Sequence, residues 1–218
     1  CLTMIRLENV TKTYRTRRGP VNALDNVSIE VARGEFVVVR GPSGCGKSTL
    51  LLMIGGMLRP SSGAVLLDDA DVYALSQRER NRLRATRVGF VFQMFHLVPY
   101  LTVIENVLLP NARAVGRDRA LALLEQLGLA DRALHRPGEL SAGEKQRAAL
   151  ARALIHRPAI VLADEPTGNL DPENAAGVFG HLADYHKSGG TVVVVTHGGD
   201  GDVHADRVIC LRAGCIEA

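Results

Sequence analysis

Residues Gly41-Pro42-Ser43-Gly44-Cys45-Gly46-Lys47-Ser48-Thr49 carry the spacing G-x-x-x-x-G-K-S/T, which suits the holding of a polyphosphate. Glycines let main-chain N–H groups converge on anionic oxygens with no Cβ in the way. A helix starting at the end of the run would add roughly half a positive charge from its N-terminus. Lys47 would place a full charge at the β and γ phosphates, and Ser48 offers a hydroxyl to Mg2+. Roughly three chance matches are expected in a thousand chains of this composition, so a glycine-rich turn without a ligand is a poor explanation.

A second set of residues gains its meaning beside the first. The apolar run Ile160–Ala163 ends in Asp164 and Glu165. In open α/β sheets ligands sit at the carboxyl ends of parallel strands, so Asp164 is placed to hold Mg2+ and Glu165 to polarise a water near the γ-phosphate. Alone, an apolar run followed by Asp-Glu is more often a strand-end turn. His197 follows another apolar run, Val192–Val195, and Thr196. A lone histidine there is usually structural, but at the same sheet edge it can hold the γ-phosphate, the attacking water and Glu165 in line.

The elements that must position these groups alternate between strand and helix patterns, which predicts an α/β domain with a largely parallel sheet. Ile5–Val10 and Val27–Val31 alternate apolar and polar residues as half-buried strands do. Phe36–Val39 is a continuous apolar run ending at the glycine-rich loop, as a buried parallel strand would. A helix is expected from near Gly46 to about Met57, then a strand at Ala64–Leu67, a helix at Gln77–Ala85 and a strand at Val88–Phe92. Thr102–Ala114, Asp118–Leu127 and Ala142–His156 predict three helices with no strand between them, a helical insertion on the α/β core. Strands at Ile160–Ala163 and Val192–Val195 flank a helix at Glu173–His186, and Asp206–Leu211 closes the chain.

Composition narrows the partners. The 218 residues, 46% hydrophobic, suffice for one domain with its own core. No apolar run approaches the ~20 residues needed to cross a bilayer, so a membrane would have to be reached through a partner. The opening Cys1-Leu2-Thr3-Met4 predicts no signal peptide; Cys1 in place of Met points to processing, with Met4 a candidate natural start. A net charge of +3 is too mild to argue for nucleic acid. The denser group Arg78, Arg80, Arg82, Arg84 and Arg87 reads first as a solvated helix face and second as a contact for a partner or anionic lipid. Cys1, Cys45, Cys210 and Cys215 form no disulfide framework in a chain this long, and read as reduced thiols.

The segment Leu140-Ser141-Ala142-Gly143-Glu144-Lys145-Gln146-Arg147 resembles the signature motif of the ABC (ATP-binding cassette) ATPases, and it precedes the Asp164-Glu165 strand by that family's spacing. Tyr14 matches the aromatic residue that stacks on adenine, Gln93 the Q-loop glutamine, Gly168-Asn169-Leu170-Asp171 the D-loop and His197 the H-loop. The resemblance implies a P-loop NTPase (RecA-like) core with a mostly parallel sheet, an N-terminal antiparallel β subdomain and a helical subdomain. Residues of about 1–92 and 157–218 would form the core with its β subdomain, and about 93–156 the helical part. It also implies that Gln93 joins Ser48 and Asp164 around Mg2+, that Asp171 lies at the nucleotide, and that Lys47, Gln93, Glu165 and His197 act in hydrolysis of ATP. Ser141 and Gly143 would contact the γ-phosphate of ATP held by a second copy, so that two ATP molecules are sandwiched between two chains. Ser141 is also a good helix cap, and both roles can hold together.

Three positions depart from the pattern. Ala142 stands for the first of two glycines, Glu144 for the commoner glutamine, and Gly198-Gly199 for a frequent acidic residue, which predicts a looser H-loop. None removes a catalytic group, and activity is expected. The stretches Phe92–Val107 and Ala163–Asp171 are similar to the lipoprotein-release, macrolide-export and cell-division branch, whose ATPase drives an integral membrane permease. That implies a cytoplasmic protein held on the inner face of the membrane by its permease, docking through Phe95, Leu97, Val98 and Tyr100. The competing class is a membrane-free ABC ATPase acting as a regulator or scaffold. Neither the long coiled coil of repair members nor the second cassette of translation members stands in this sequence.

Overall fold

The protein is described from a computed structural model, which covers residues 2–17, 19–110 and 116–217. Among the described residues ten strands are formed, β1 (Thr3–Thr16), β2 (Gly19–Ala32), β3 (Phe36–Arg40), β4 (Ser62–Leu67), β5 (Ala70–Asp71), β6 (Val88–Phe92), β7 (Ile160–Asp164), β8 (Thr191–Thr196), β9 (Arg207–Arg212) and β10 (Cys215–Ile216). The helices are α1 (Lys47–Ile54), α2 (Gln77–Arg87), α3 (Val103–Leu108), α4 (Arg117–Gln126), α5 (Ala142–Leu154) and α6 (Pro172–Lys187). A six-stranded sheet runs in the order β10-β9-β3-β8-β7-β6, parallel except for β10, and a four-stranded antiparallel sheet runs β2-β1-β4-β5.

Valine-rich runs place the six-stranded sheet at the centre because both of its faces are covered. Side chains alternate along a strand, and here the alternation divides β3. Val37 and Val39 pack with α1 and the antiparallel sheet, while Phe36 and Val38 pack with the helices α3, α5 and α6. Leu162, Val193 and Val195 join the first cluster, and Val161, Ala163, Val192 and Val194 the second. No strand could stay buried on both sides with a polar residue in every second position, which is why these segments read as unbroken apolar runs.

Several boundaries differ from the sequence expectation. β1 and β2 form a hairpin of 14-residue strands, much longer than the alternating cores at Ile5–Val10 and Val27–Val31. The hairpin tip, Tyr14–Thr16 with Pro20–Asn22, is exposed and held by backbone pairing and by contacts such as Thr13 Oγ1 donating to Asn22 Oδ1 at 2.8 Å, while Leu24 of the β2 extension is buried in the core. Helix α1 stops at Ile54, short of Met57, where Gly56 turns the chain at φ +69°; Gly55 is required there because a Cβ would meet the Phe90 ring at 1.9 Å. Helix α3 ends at Leu108; Leu109 keeps helical dihedrals (φ −47°, ψ −44°), but Pro110 has no N–H with which to continue the backbone ladder. Residues 111–114 of the longer helix expected there lie outside the described residues.

Candidate functional site

Register brings the chemistry to one edge. Arg40 of β3 pairs with Thr196 of β8, Val195 of β8 with Asp164 of β7, and Asp164 with Phe92 of β6. The residues that follow these strand ends are Gly41, His197, Glu165 and Gln93, so four separate segments emerge side by side. This is the carboxyl edge of the parallel strands.

The glycines of the loop answer to the fold as well as to a ligand. A Cβ on Gly41 would sit 2.1 Å from Leu211 O of β9, and one on Gly46, at φ +110°, 2.1 Å from Ala23 O of β2. Gly44, at φ +79°, faces open space. Backbone crowding therefore demands two of the three glycines, and Gly44 leaves the outer side of the loop free for an anion. Pro42, Ser43 and Gly44 are exposed, Cys45 is buried, and Thr49 is half-buried in the first turn of α1.

The charged groups converge inside that loop. Lys47 is buried and its Nζ donates to Gly41 O at 2.7 Å and Pro42 O at 3.1 Å. Glu165 Oε1 lies 3.6 Å from Lys47 Nζ. Its Oε2 accepts the His197 main-chain N–H at 3.2 Å and lies 2.7 Å from His197 Nδ1. Glu165 takes a left-handed φ of +44°, with its N–H donating to Val195 O at 2.9 Å, a backbone conformation uncommon for a non-glycine residue. Ser48 Oγ donates to Asp164 Oδ1 at 3.0 Å. Burial pushes the Asp164 carboxyl above the ordinary range, against the pull of the Ser48 bond.

The other expected residues sit around this centre. Gln93 is exposed, its carbonyl accepting from Asn169 Nδ2 at 3.1 Å, and a Cβ on Gly168 would meet its Nε2 at 2.9 Å. Tyr14 is 40% exposed on β1, with Lys12 Nζ 5.4 Å from its ring centre. Asp171 caps α6, accepting from Asn174 N at 2.9 Å and Asn174 Nδ2 at 2.7 Å, and these bonds hold its carboxyl below the ordinary range. Ser141 caps α5 in a capping box with Glu144, and Gly143 is buried behind it. Among the described residues, no hydrogen bond or ion pair joins Ser141, Gly143 or Tyr14 to Lys47, Ser48, Asp164, Glu165 or His197.

Sequence reasoning missed five polar contacts. Arg40 forms an ion pair with Asp202, and Gly198 N donates to Thr196 Oγ1 at 3.1 Å. The segment after His197 is thus tethered despite its glycine pair. Arg152 Nη2 donates to Phe95 O at 2.7 Å, and Arg152 also binds His96 O, holding two residues with φ of +54° and +49°. Gln146, wholly buried, donates through Nε2 to Pro166 O at 2.6 Å. A signal for Gln146 was present, for it interrupts the stripe Gly143, Leu150, Ala153 at helical spacing.

A glycine-rich loop of the G-x-x-x-x-G-K-S/T spacing, a buried lysine, and a hydroxyl, two carboxylates and a histidine at one parallel-strand edge define a P-loop nucleoside triphosphatase. A sequence profile of the family described as "ABC transporter" matches residues 24–168. The chain is 43% identical over 218 residues to the lipoprotein-releasing system ATP-binding protein LolD of Paramagnetospirillum magneticum, covering 97% of this chain and 96% of that one. It is 45% identical to the macrolide export ATP-binding/permease protein MacB of Chlorobaculum tepidum over 98% of its own length, but spans only 33% of that larger protein. A solved dimeric post-hydrolysis state of the ATP-binding cassette MJ0796, bound to ADP and Pi, superposes with a TM-score of 0.93 at 41% identity, covering 99% of this chain and 97% of that one. The chain belongs to the ABC transporter family, as an ATP-binding subunit that hydrolyses ATP.

Proposed function

We propose that two copies of this chain close head to tail on two ATP molecules and drive an integral membrane permease of the lipoprotein-release or macrolide-export kind. The carrying observation is the gathering of Lys47, Ser48, Asp164, Glu165 and His197 at one edge, while Ser141 and Gly143 present a separate helix end. In this reading the main chain of Gly41–Thr49 and Lys47 hold the phosphates, and the exposed Tyr14 ring stacks on adenine. Glu165 polarises the attacking water, and His197, bonded to Glu165, holds base and γ-phosphate in line. Ser141, Gly143 and Asp171 of the second copy complete each site.

Ser48 and Asp164 place a hydroxyl and a carboxylate together, the hard oxygen donors that suit Mg2+, which usually takes few protein ligands and leaves the rest to phosphate and water. Gln93, on the adjoining strand end, would be the third protein group. When bound, the ion would offset phosphate charge as the terminal bond breaks.

The chain divides, in this reading, into a core of about 1–92 and 157–218 and a helical part of about 93–156. Between them a cavity of about 430 Å3 is lined by Met57, Arg84, Phe90, Phe92, His96 and Arg152 among others. Met94 and Tyr100, 67% and 74% exposed, lie on the same loop as His96, whereas Leu97 packs against the helical core. This groove is where an amphipathic segment of the permease would dock. Among the described residues no helix is long and apolar enough to cross a membrane, so attachment to the inner face would run through that partner.

Purified chain with ATP and Mg2+ should release phosphate. Glu165→Gln should slow release by about 10²–10⁴-fold, the usual worth of a general base, and should hold a dimer by light scattering in the presence of ATP. A variant that binds ATP yet stays monomeric would remove the sandwich from the account. Co-purification with a membrane protein tests the permease.

A further inference from the structure

The main chain at Glu165 and Pro166 is held both from the sheet and from the helical side. From β8 comes the bond between the Glu165 N–H and Val195 O. From the helical side comes Gln146, whose side-chain amide donates to Pro166 O, the carbonyl of the very next residue, at 2.6 Å. Gln146 lies one turn into α5, the helix whose N-terminus is Ser141. It is 0% exposed, and its Oε1 finds no partner. An apolar side chain of the same length would fill that space without an orphan acceptor, so packing alone does not account for the amide. What the amide adds is a directional tie between the signature helix and the peptide that carries the base.

A second tie runs in parallel. Arg147 Nη1 donates to Asn174 Oδ1 at 3.0 Å, and Asn174 in turn bonds the capping carboxylate of Asp171. Gly143 makes room for this contact, since a Cβ there would sit 2.1 Å from Asn174 Oδ1. The first turns of α5 are therefore locked to both ends of the loop 165–171, by Gln146 at Pro166 and by Asn174 at Asp171.

We propose that Gln146 is a positioning residue for Glu165. Through its bond to Pro166 O, the place that Ser141 and Gly143 take on a facing phosphate sets the place of the base in their own chain. This rests on the ATP-sandwich reading above. Each ATP would then be sensed twice, by the loop that holds it and by the facing signature helix, whose own base is brought into line as a result.

The test is Gln146→Met, which keeps length and volume and removes the donor, with Gln146→Glu as a second variant that replaces the donor by a repelling charge. Turnover should fall by about 10²-fold, the scale of a small misplacement of a reacting group, while the ATP concentration at half-maximal rate stays within about twofold. In the Glu165→Gln background, Gln146→Met should still give the ATP-held dimer, because the phosphate contacts themselves are intact. Turnover within about threefold of the parent overturns the proposal. So does loss of the held dimer together with turnover, which would make Gln146 a determinant of signature shape only. If Glu165→Gln alone fails to hold a dimer, the sandwich fails and this role with it. Should Gln146→Met not fold, Gln146→Glu carries the same comparison.

Discussion

Two helix N-termini in this molecule would face phosphate in the proposed sandwich, and they are built in opposite ways. Helix α1 starts from Gly46 with no side-chain cap and no acidic residue in its first turn. Helix α5 starts from Ser141, whose Oγ accepts the Glu144 N–H at 3.2 Å, while the Glu144 carboxylate accepts the Ser141 N–H at 2.8 Å and the Arg132 Nε–H at 2.8 Å. The first leaves its orphan N–H groups and its dipole for an incoming anion. The second satisfies part of its own need and puts a carboxylate within its first turn. A loop designed to bind alone and a loop designed to bind only as the second half of a sandwich need not share an N-terminus chemistry. In the proposed sandwich, affinity would belong to α1 and closure to α5.

This contrast can be broken most directly at Lys47. A charge-assisted bond of this kind is worth about 1.5–3 kcal/mol, so Lys47→Ala should weaken ATP binding to the single chain by roughly 10–100-fold, measured by calorimetry. Unchanged affinity would mean that the loop is not the dominant grip.

Ser141→Ala addresses the other helix. Loss of the cap should cost about 1 kcal/mol of stability, read as a lower unfolding midpoint. It should also weaken the ATP-held dimer of the Glu165→Gln background while leaving single-chain affinity for ATP as it was. A fall in that affinity would erase the division of labour.

The smallest effect is a pH dependence at Glu144. The bond from Arg132, then those from Ser141, hold this carboxyl at about 2 in place of 4.5. A depressed folded-state value means that the stabilisation is fully present above pH 4.5 and disappears as pH falls from there toward about 2. The pair lies at the surface, so its worth should stay within about 1 kcal/mol and shrink in salt. Glu144→Gln keeps the capping box and should flatten that part of the stability curve. An unchanged acid limb would show that Arg132 and Glu144 do not interact in solution.

How much of this was legible beforehand follows from the range over which each residue acts. The P-loop is local: nine consecutive residues contain the glycines, the lysine and the hydroxyl, and the buried runs on either side announce strands. The long hairpin was half hidden because Thr11–Thr16 runs from half-buried to exposed with no apolar alternation, and its pairing is carried by the backbone, which leaves little pattern in side chains. Gln146 was visible as a polar residue in an apolar stripe, yet nothing in α5 names Pro166, 20 residues away, as its acceptor. The glycines of the loop were read as room for phosphate, whereas Gly41 and Gly46 answer first to Leu211 and Ala23 on other strands.

By itself, the sequence determined the residue types of the phosphate loop, the two acids and histidine at the ends of apolar runs, and an alternation of elements that admits an α/β fold. Those are properties of short segments, set by local periodicity and by the donors and charges each side chain carries. Only the tertiary structure decided that the ends of β3, β6, β7 and β8 lie side by side, that Glu165 meets both Lys47 and His197, and that α5 is tied through Gln146 to Pro166, the residue after Glu165. Sheet order and register depend on which distant apolar faces bury one another, and that choice is made by the packed core as a whole.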